Sequence, residues 1–166
     1  MKHVLRGKFI TFEGGDGAGK TTQIKLLAER LQGQGHDVVV TREPGGSSGA
    51  EAVRHVLLSG AAEAFGPDAE VILFAASRLD HLNQLIIPAL EAGKTVICDR
   101  FYDSTRAYQG ASGVADNELI DRMEKVAVGA NRPDKTIILD LPPEVGIERV
   151  QSRVAANQVE STQPTE

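Results

Sequence analysis

The residues best placed to do chemistry in this chain are Gly14-Gly15-Asp16-Gly17-Ala18-Gly19-Lys20-Thr21, which fit G-x-x-x-x-G-K-[ST]. That chemistry is phosphate binding. The glycines let successive backbone N–H groups turn inward on phosphate oxygens. The start of the helix that follows adds the positive end of its dipole. Lys20 reaches the outer phosphates, and the Thr21 hydroxyl is placed to ligate Mg²⁺. A second cluster, Asp99-Arg100, follows an apolar run directly. Asp99 is an acid placed to organise Mg²⁺ or its waters, and the planar fork of Arg100 suits a second anionic group. Phe74 and Arg78 lie four apart, so they share one helical face, where an aromatic ring and a guanidinium can hold a flat base. By spacing alone, however, Phe74 reads as a core residue. Both tyrosines, Tyr102 and Tyr108, fall with Ser104, Arg106 and Gln109 in one short polar and aromatic stretch.

The elements that must position these residues alternate between strand and helix. Phe9–Glu13, Asp37–Thr41, Lys94–Cys98 and Lys135–Leu139 are short apolar or β-branched runs and read as strands. Helical spacing covers Lys20–Gln34, Glu51–Leu58, Asp68–Ala92 with a break expected near Pro88, Asp116–Val128 with Asp116 as N-cap, and Pro143–Arg153. Arg42-Glu43-Pro44-Gly45-Gly46 is a breaker segment and must be loop. Strands without polar alternation suit a parallel sheet buried on both faces, so the fold class is α/β, a three-layer sandwich of the P-loop NTPase kind. Ligands in such sheets sit at the carboxyl ends of the strands, where Asp16, Arg42, Glu43, Asp99, Arg100 and Asp140 all fall. Val154–Glu166, rich in Ala, Asn, Gln, Ser, Thr and Pro, reads as a mobile lid or disordered tail.

Composition limits the partners. The length of 166 residues fits one domain, 1–166, and 41% hydrophobic with 25% charged residues is ordinary for a globular protein. A net charge of −5, with 18 Lys and Arg scattered rather than striped, makes nucleic acid and an anionic membrane unexpected partners. The single cysteine, Cys98, excludes a disulfide framework and reads as a small buried hydrophobe in a reducing, cytoplasmic setting. No apolar run is long enough for a transmembrane helix, and the N-terminus lacks the apolar stretch of a signal peptide.

Taken in order, Glu13 to Thr22, Thr41-Arg42-Glu43-Pro44-Gly45-Gly46, Asp99-Arg100-Phe101 with Ser104 and Ala107-Tyr108-Gln109-Gly110, and Arg132-Pro133-Asp134 with Leu139-Asp140 resemble the bacterial thymidylate kinases. The resemblance implies phosphoryl transfer from ATP to dTMP with Mg²⁺, giving ADP and dTDP on the way to dTTP. It implies that Gly14, Gly15, Asp16, Gly17, Ala18, Gly19, Lys20, Thr21 and Thr22 hold the ATP phosphates, and that Thr21 and Asp99 serve the metal. Asp16 would meet the dTMP sugar hydroxyl, and Glu43 and Pro44 would wall the pocket. Arg54 and Arg100 would bind its phosphate, Phe74 would stack on thymine, and Arg78 and Gln109 would read its edge. Ser104 belongs to the same pocket, and Tyr108 would crowd the place of a ribose 2′-OH. Lys20, Asp99, Arg100 and a lid arginine, Arg153, would carry the catalysis, because Asp16-Gly17-Ala18 holds no arginine. Arg149 lies one turn earlier. A homodimer through helices that include Asp68–Ala92 is also implied.

The family's pattern continues past Arg153 with a fuller lid, a fifth strand and a closing helix, which the sequence to Glu166 does not match. The expectation is therefore an open sheet edge with an exposed apolar patch, and lower stability and activity than a full-length relative. A nucleotide-binding fragment without turnover and another P-loop nucleotide kinase are the alternatives. A GTP-binding switch is disfavoured, because Asn131-Arg132-Pro133-Asp134 lacks the lysine of a guanine-reading motif.

Overall fold

A computed structural model describes residues 6–111 and 114–161. Four parallel strands form the sheet: β1 (Phe9–Gly14), β2 (Val38–Arg42), β3 (Thr95–Asp99) and β4 (Lys135–Leu139). Their spatial order is β2-β3-β1-β4, so β1 lies between β3 and β4. The expected α/β sandwich is the one observed. Register sets the site: Phe12 pairs with Asp99, Arg42 pairs with Asp99, and Gly14 pairs with Leu139. The carboxyl ends of all four strands are thereby level with the loop after β1.

Neighbouring residues of one strand feed opposite cores, which is why the strands are apolar throughout. Val96 and Cys98 face a cluster with Phe9, Leu82, Ile86, Leu90, Phe101 and Val128. Ile97, between them, faces Phe12, Ile24 and Ala28 of the second layer. Cys98 is fully buried, and burial raises its thiol pKa well above 9.0. On the exposed edge, β4 turns Ile138 outward, 70% exposed.

The helices are α1 (Lys20–Gly33), α2 (Ser48–Leu58), α3 (Pro67–His81), α4 (Ile87–Glu91), α5 (Tyr102–Thr105), α6 (Asn117–Ala127) and α7 (Pro143–Ser161). Asp116 caps α6 as expected, accepting from the Glu118 N–H at 2.9 Å. The break near Pro88 is not a gap: a π-turn over Leu82–Ile86 joins α3 to α4, widening the helix ahead of the proline that cannot donate to its i−4 carbonyl. A second π-turn, Arg106–Gly110, continues α5 in a stretch whose sequence carries no clear helical period.

One expectation is corrected. α7 does not stop at Arg153; it runs on through Ser161. Val154-Ala155-Ala156 contains no breaker, alanine is the best helix former, and the next proline is Pro164. The remainder of the expected tail, residues 162–166, lies outside the described residues.

Candidate functional site

The loop between β1 and α1 turns on glycines that another residue could not replace. Gly17 and Gly19 have φ of 78° and 94°, and a Cβ on Gly17 would collide with the Gly146 carbonyl oxygen of α7. Lys20 is folded back, its Nζ donating to the Gly14 and Gly15 carbonyls at 2.8 and 2.9 Å. Burial first, then the nearby Arg100 charge, lowers the Lys20 pKa below its ordinary 10.5. Lys20 thus rests on two backbone carbonyls at the edge of an open cleft. Thr21 Oγ1 donates to Asp99 Oδ2 at 3.3 Å, while Asp99 Oδ1 is buried and makes no hydrogen bond among the described residues. A hydroxyl beside a carboxylate with one orphaned oxygen is an oxygen donor set that fits Mg²⁺ bound jointly by protein and phosphates.

Two adjoining clefts open at this carboxyl edge. The first encloses about 340 Å³, and every residue expected at the dTMP pocket lines it: Asp16, Glu43, Pro44, Arg54, Phe74, Arg78, Arg100, Ser104, Tyr108 and Gln109. Phe74 is half-buried and faces the cleft, so the core placement suggested by spacing alone is corrected. Its ring is the one broad apolar surface α3 offers there. The second cleft, about 510 Å³, is lined by Gly17, Gly19, Lys20, Thr21, Thr22, Asp99 and, from α7, Val150, Arg153 and Val154. Asp16, Glu43, Arg54 and Arg100 line both. Gly14 and Gly15 meet Lys20 through their carbonyls, whereas Gly15 and Ala18 border a separate hollow against Leu141 and Ile147.

Arg100 is held at the junction. Its backbone is left-handed (φ 69°), a costly conformation for a side-chain-bearing residue. Nη2 donates to Asp16 Oδ1 at 2.7 Å, Nη1 to Ser104 Oγ at 3.1 Å, and the guanidinium lies over the Tyr108 ring, 5.2 Å from its centroid. Glu13 stabilises the turn that follows. Its buried carboxylate accepts from the Phe101 N–H at 2.7 Å and from the Ser104 hydroxyl at 2.6 Å. Desolvation outweighs these bonds and raises the Glu13 pKa above 4.5.

The floor of the first cleft is a buried ion pair. Arg78 Nε donates to Glu43 Oε2 at 2.7 Å with both side chains no more than 5% exposed. Arg78 Nη2 reaches Thr105 Oγ1 at 3.2 Å, and its guanidinium stacks on Phe101. Arg54 Nη1 donates to the Pro44 carbonyl at 2.7 Å, which ties α2 to the loop after β2. On the other side, Arg149 donates to the Gly17 carbonyl at 3.4 Å, and Arg153 lines the second cleft with its Nε on the Arg149 carbonyl at 3.3 Å.

The family model for thymidylate kinase matches residues 12–165. This chain belongs to the thymidylate kinase family. The thymidylate kinase of Bradyrhizobium sp. (strain ORS 278) is 55% identical over 148 residues, 89% of this chain and 66% of the relative. The thymidylate kinase of Afipia carboxidovorans is 59% identical over 148 residues, 65% of its length, and that of Caulobacter vibrioides 54% over 158 residues, 76% of its length. The chain thus spans about two thirds of the length of the curated relatives it matches. The thymidylate kinase structure from Ehrlichia chaffeensis superposes with a TM-score of 0.75 at 41% identity, covering 93% of this chain and 88% of that one.

Sequence reasoning gave no role to Glu13, Thr41, His81, Phe101 or Thr105, all of which brace the first cleft. A signal existed for two of them. Glu13 is a charge in an apolar strand, and His81 lies three residues after Arg78 on the same helical face.

Proposed function

We propose that this chain transfers the γ-phosphoryl group of ATP to dTMP, giving ADP and dTDP. The observation that supports it best is the shared wall: Asp16, Glu43, Arg54 and Arg100 border both the phosphate-loop cleft and the base-sized cleft, so two phosphates held in them lie side by side. Phosphoryl transfer needs that juxtaposition and neutralisation of the moving charge more than covalent catalysis. The glycine-loop N–H groups, Lys20, Thr21 and Thr22 hold the ATP phosphates. Arg54 and Arg100 take the dTMP phosphate, and Asp16 takes the sugar hydroxyl. Phe74 stacks on thymine while Arg78 and Gln109 meet its edge. Tyr108 fills the space a ribose 2′-OH would need. Thr21 and Asp99 hold Mg²⁺, which when bound neutralises phosphate charge. Arg153, from α7, approaches the transferred group.

The protein acts as a cytoplasmic homodimer in this reading. No described helix is long and apolar enough to cross a membrane, and Ile72 and Leu79, seven apart on α3, present exposed apolar surface that a second copy would cover.

ADP release with ATP, Mg²⁺ and dTMP, dUMP, dCMP, dGMP or UMP tests the proposal. Turnover with dTMP foremost supports it. Another nucleotide foremost replaces the acceptor, and dTMP binding without turnover leaves a nucleotide-binding chain rather than an enzyme.

A further inference from the structure

Beneath the ion pair at the floor of the first cleft lies a histidine that the proposed reaction does not touch. His81, at the end of α3, is 0% exposed. Its Nδ1 lies 3.1 Å from Glu43 Oε1 and its Nε2 lies 2.7 Å from Thr41 Oγ1. A carboxylate only accepts, so Nδ1 carries the hydrogen and donates to Glu43, while Nε2 shares a hydrogen bond with the Thr41 hydroxyl on the ring's other side. Gly46 lies directly against the ring, where a Cβ would collide with Nε2.

The consequence passes to Arg78. Glu43 uses one oxygen for His81 and the other for Arg78 Nε, at 2.7 Å. With Nη2 on Thr105 and the guanidinium 5.1 Å above the Phe101 ring, the plane of Arg78 is fixed from three sides. A guanidinium offers donors only. Which base edge it accepts therefore depends on where that plane points.

We propose that His81 is a positioning residue for base selectivity: by pinning Glu43 it holds Arg78 so that the cleft takes a pyrimidine presenting a carbonyl oxygen and turns away one presenting an amino group. This rests on the thymidylate reading above.

Titration calorimetry of the whole chain with dTMP and with dCMP, run on the parent, H81N and H81Q beside their melting curves, tests it. The Asn amide nitrogen falls near the position of Nδ1 and keeps the donor to Glu43. The Gln amide reaches toward Thr41 and loses that donor. The expected result is that H81Q weakens dTMP about tenfold and shrinks the dTMP-over-dCMP preference in proportion, while H81N stays within about threefold, with similar losses of melting temperature for both. Equal binding losses in the two variants, or parent-like selectivity in both, overturns the proposal. Should either fail to fold, T41V removes the other anchor of the ring and leaves Glu43 in place; a reduced dTMP preference supports the proposal and an unchanged one overturns it. A parent that binds neither nucleotide overturns the thymidylate reading, and this proposal with it.

Discussion

The two clefts are built in opposite ways. In the base-sized cleft the polar groups are committed to one another before any ligand arrives: Thr41, His81, Glu43, Arg78 and Thr105 form one buried chain of hydrogen bonds. In the phosphate-loop cleft the groups are only parked. Lys20 rests on backbone carbonyls, Arg153 on a carbonyl of its own helix, and one oxygen of Asp99 on nothing among the described residues. The difference suits what each cleft would recognise in the proposed reaction. A base differs from its competitors by one or two hydrogen-bonding groups, so its reader must be rigid, since a misplaced donor loses the discrimination. A triphosphate with its metal brings its own charge, and cations waiting on weak partners give them up to it.

Several perturbations separate the two designs, and the largest effect is expected at Lys20. K20M removes the cation at the transferred phosphate and should lower kcat by about 10³-fold in an ADP-release assay, with the melting curve close to the parent's. A loss below tenfold would mean that Lys20 is not at the reacting centre.

At the other cleft the main effect is on stability. R78M strips the buried Glu43 carboxylate of its guanidinium, leaving His81 alone against it, and should cost about 3–5 kcal/mol in urea unfolding, whereas R153M, on an exposed helix face, should cost less than about 0.5 kcal/mol. Equal costs would erase the contrast between committed and parked groups. Next in size is G17A. Its methyl would meet the Gly146 carbonyl and force α7 away from the loop. ATP binding measured by calorimetry should weaken about tenfold while dTMP binding stays within about twofold, a split that requires the clefts to be mechanically separate.

The smallest effect is one of pH. Phosphate binds the charged form of Lys20, and burial favours the neutral form. Loss of ATP affinity with rising pH should therefore begin below the range of an ordinary lysine, and binding on that limb should take up protons. Proton uptake measured in buffers of different ionisation enthalpy checks the sign; K20M should abolish it.

The order of strands and helices was readable because periodicity reports burial directly: Val96-Ile97-Cys98 is apolar at every position because both faces of β3 are covered. The phosphate loop was readable because its glycines are demanded by local backbone geometry. What periodicity misread was decided at a distance. Phe74 has core spacing, yet the facing surface at that turn is a cleft. His81 shares a helical face with Arg78, but its burial is set only when the loop after β2 folds over it. The far end of α7 was misread for a different reason: amide and hydroxyl side chains suggested a tail, but no glycine or proline falls between Arg153 and Ser161.

Cys98 gives the molecule a built-in clock. It is the chain's one thiol, it lies in β3, one of the two inner strands, and its sulfur donates to the Arg100 carbonyl at 3.1 Å. With zero exposure and a raised pKa, it cannot meet a small alkylating reagent until the sheet parts beside the Arg100 turn. The rate at which the native protein is alkylated thus counts those openings. A nucleotide bridging the two clefts should slow that count in proportion to how firmly it clamps the turn, so that occupancy is read in minutes of thiol protection without any turnover.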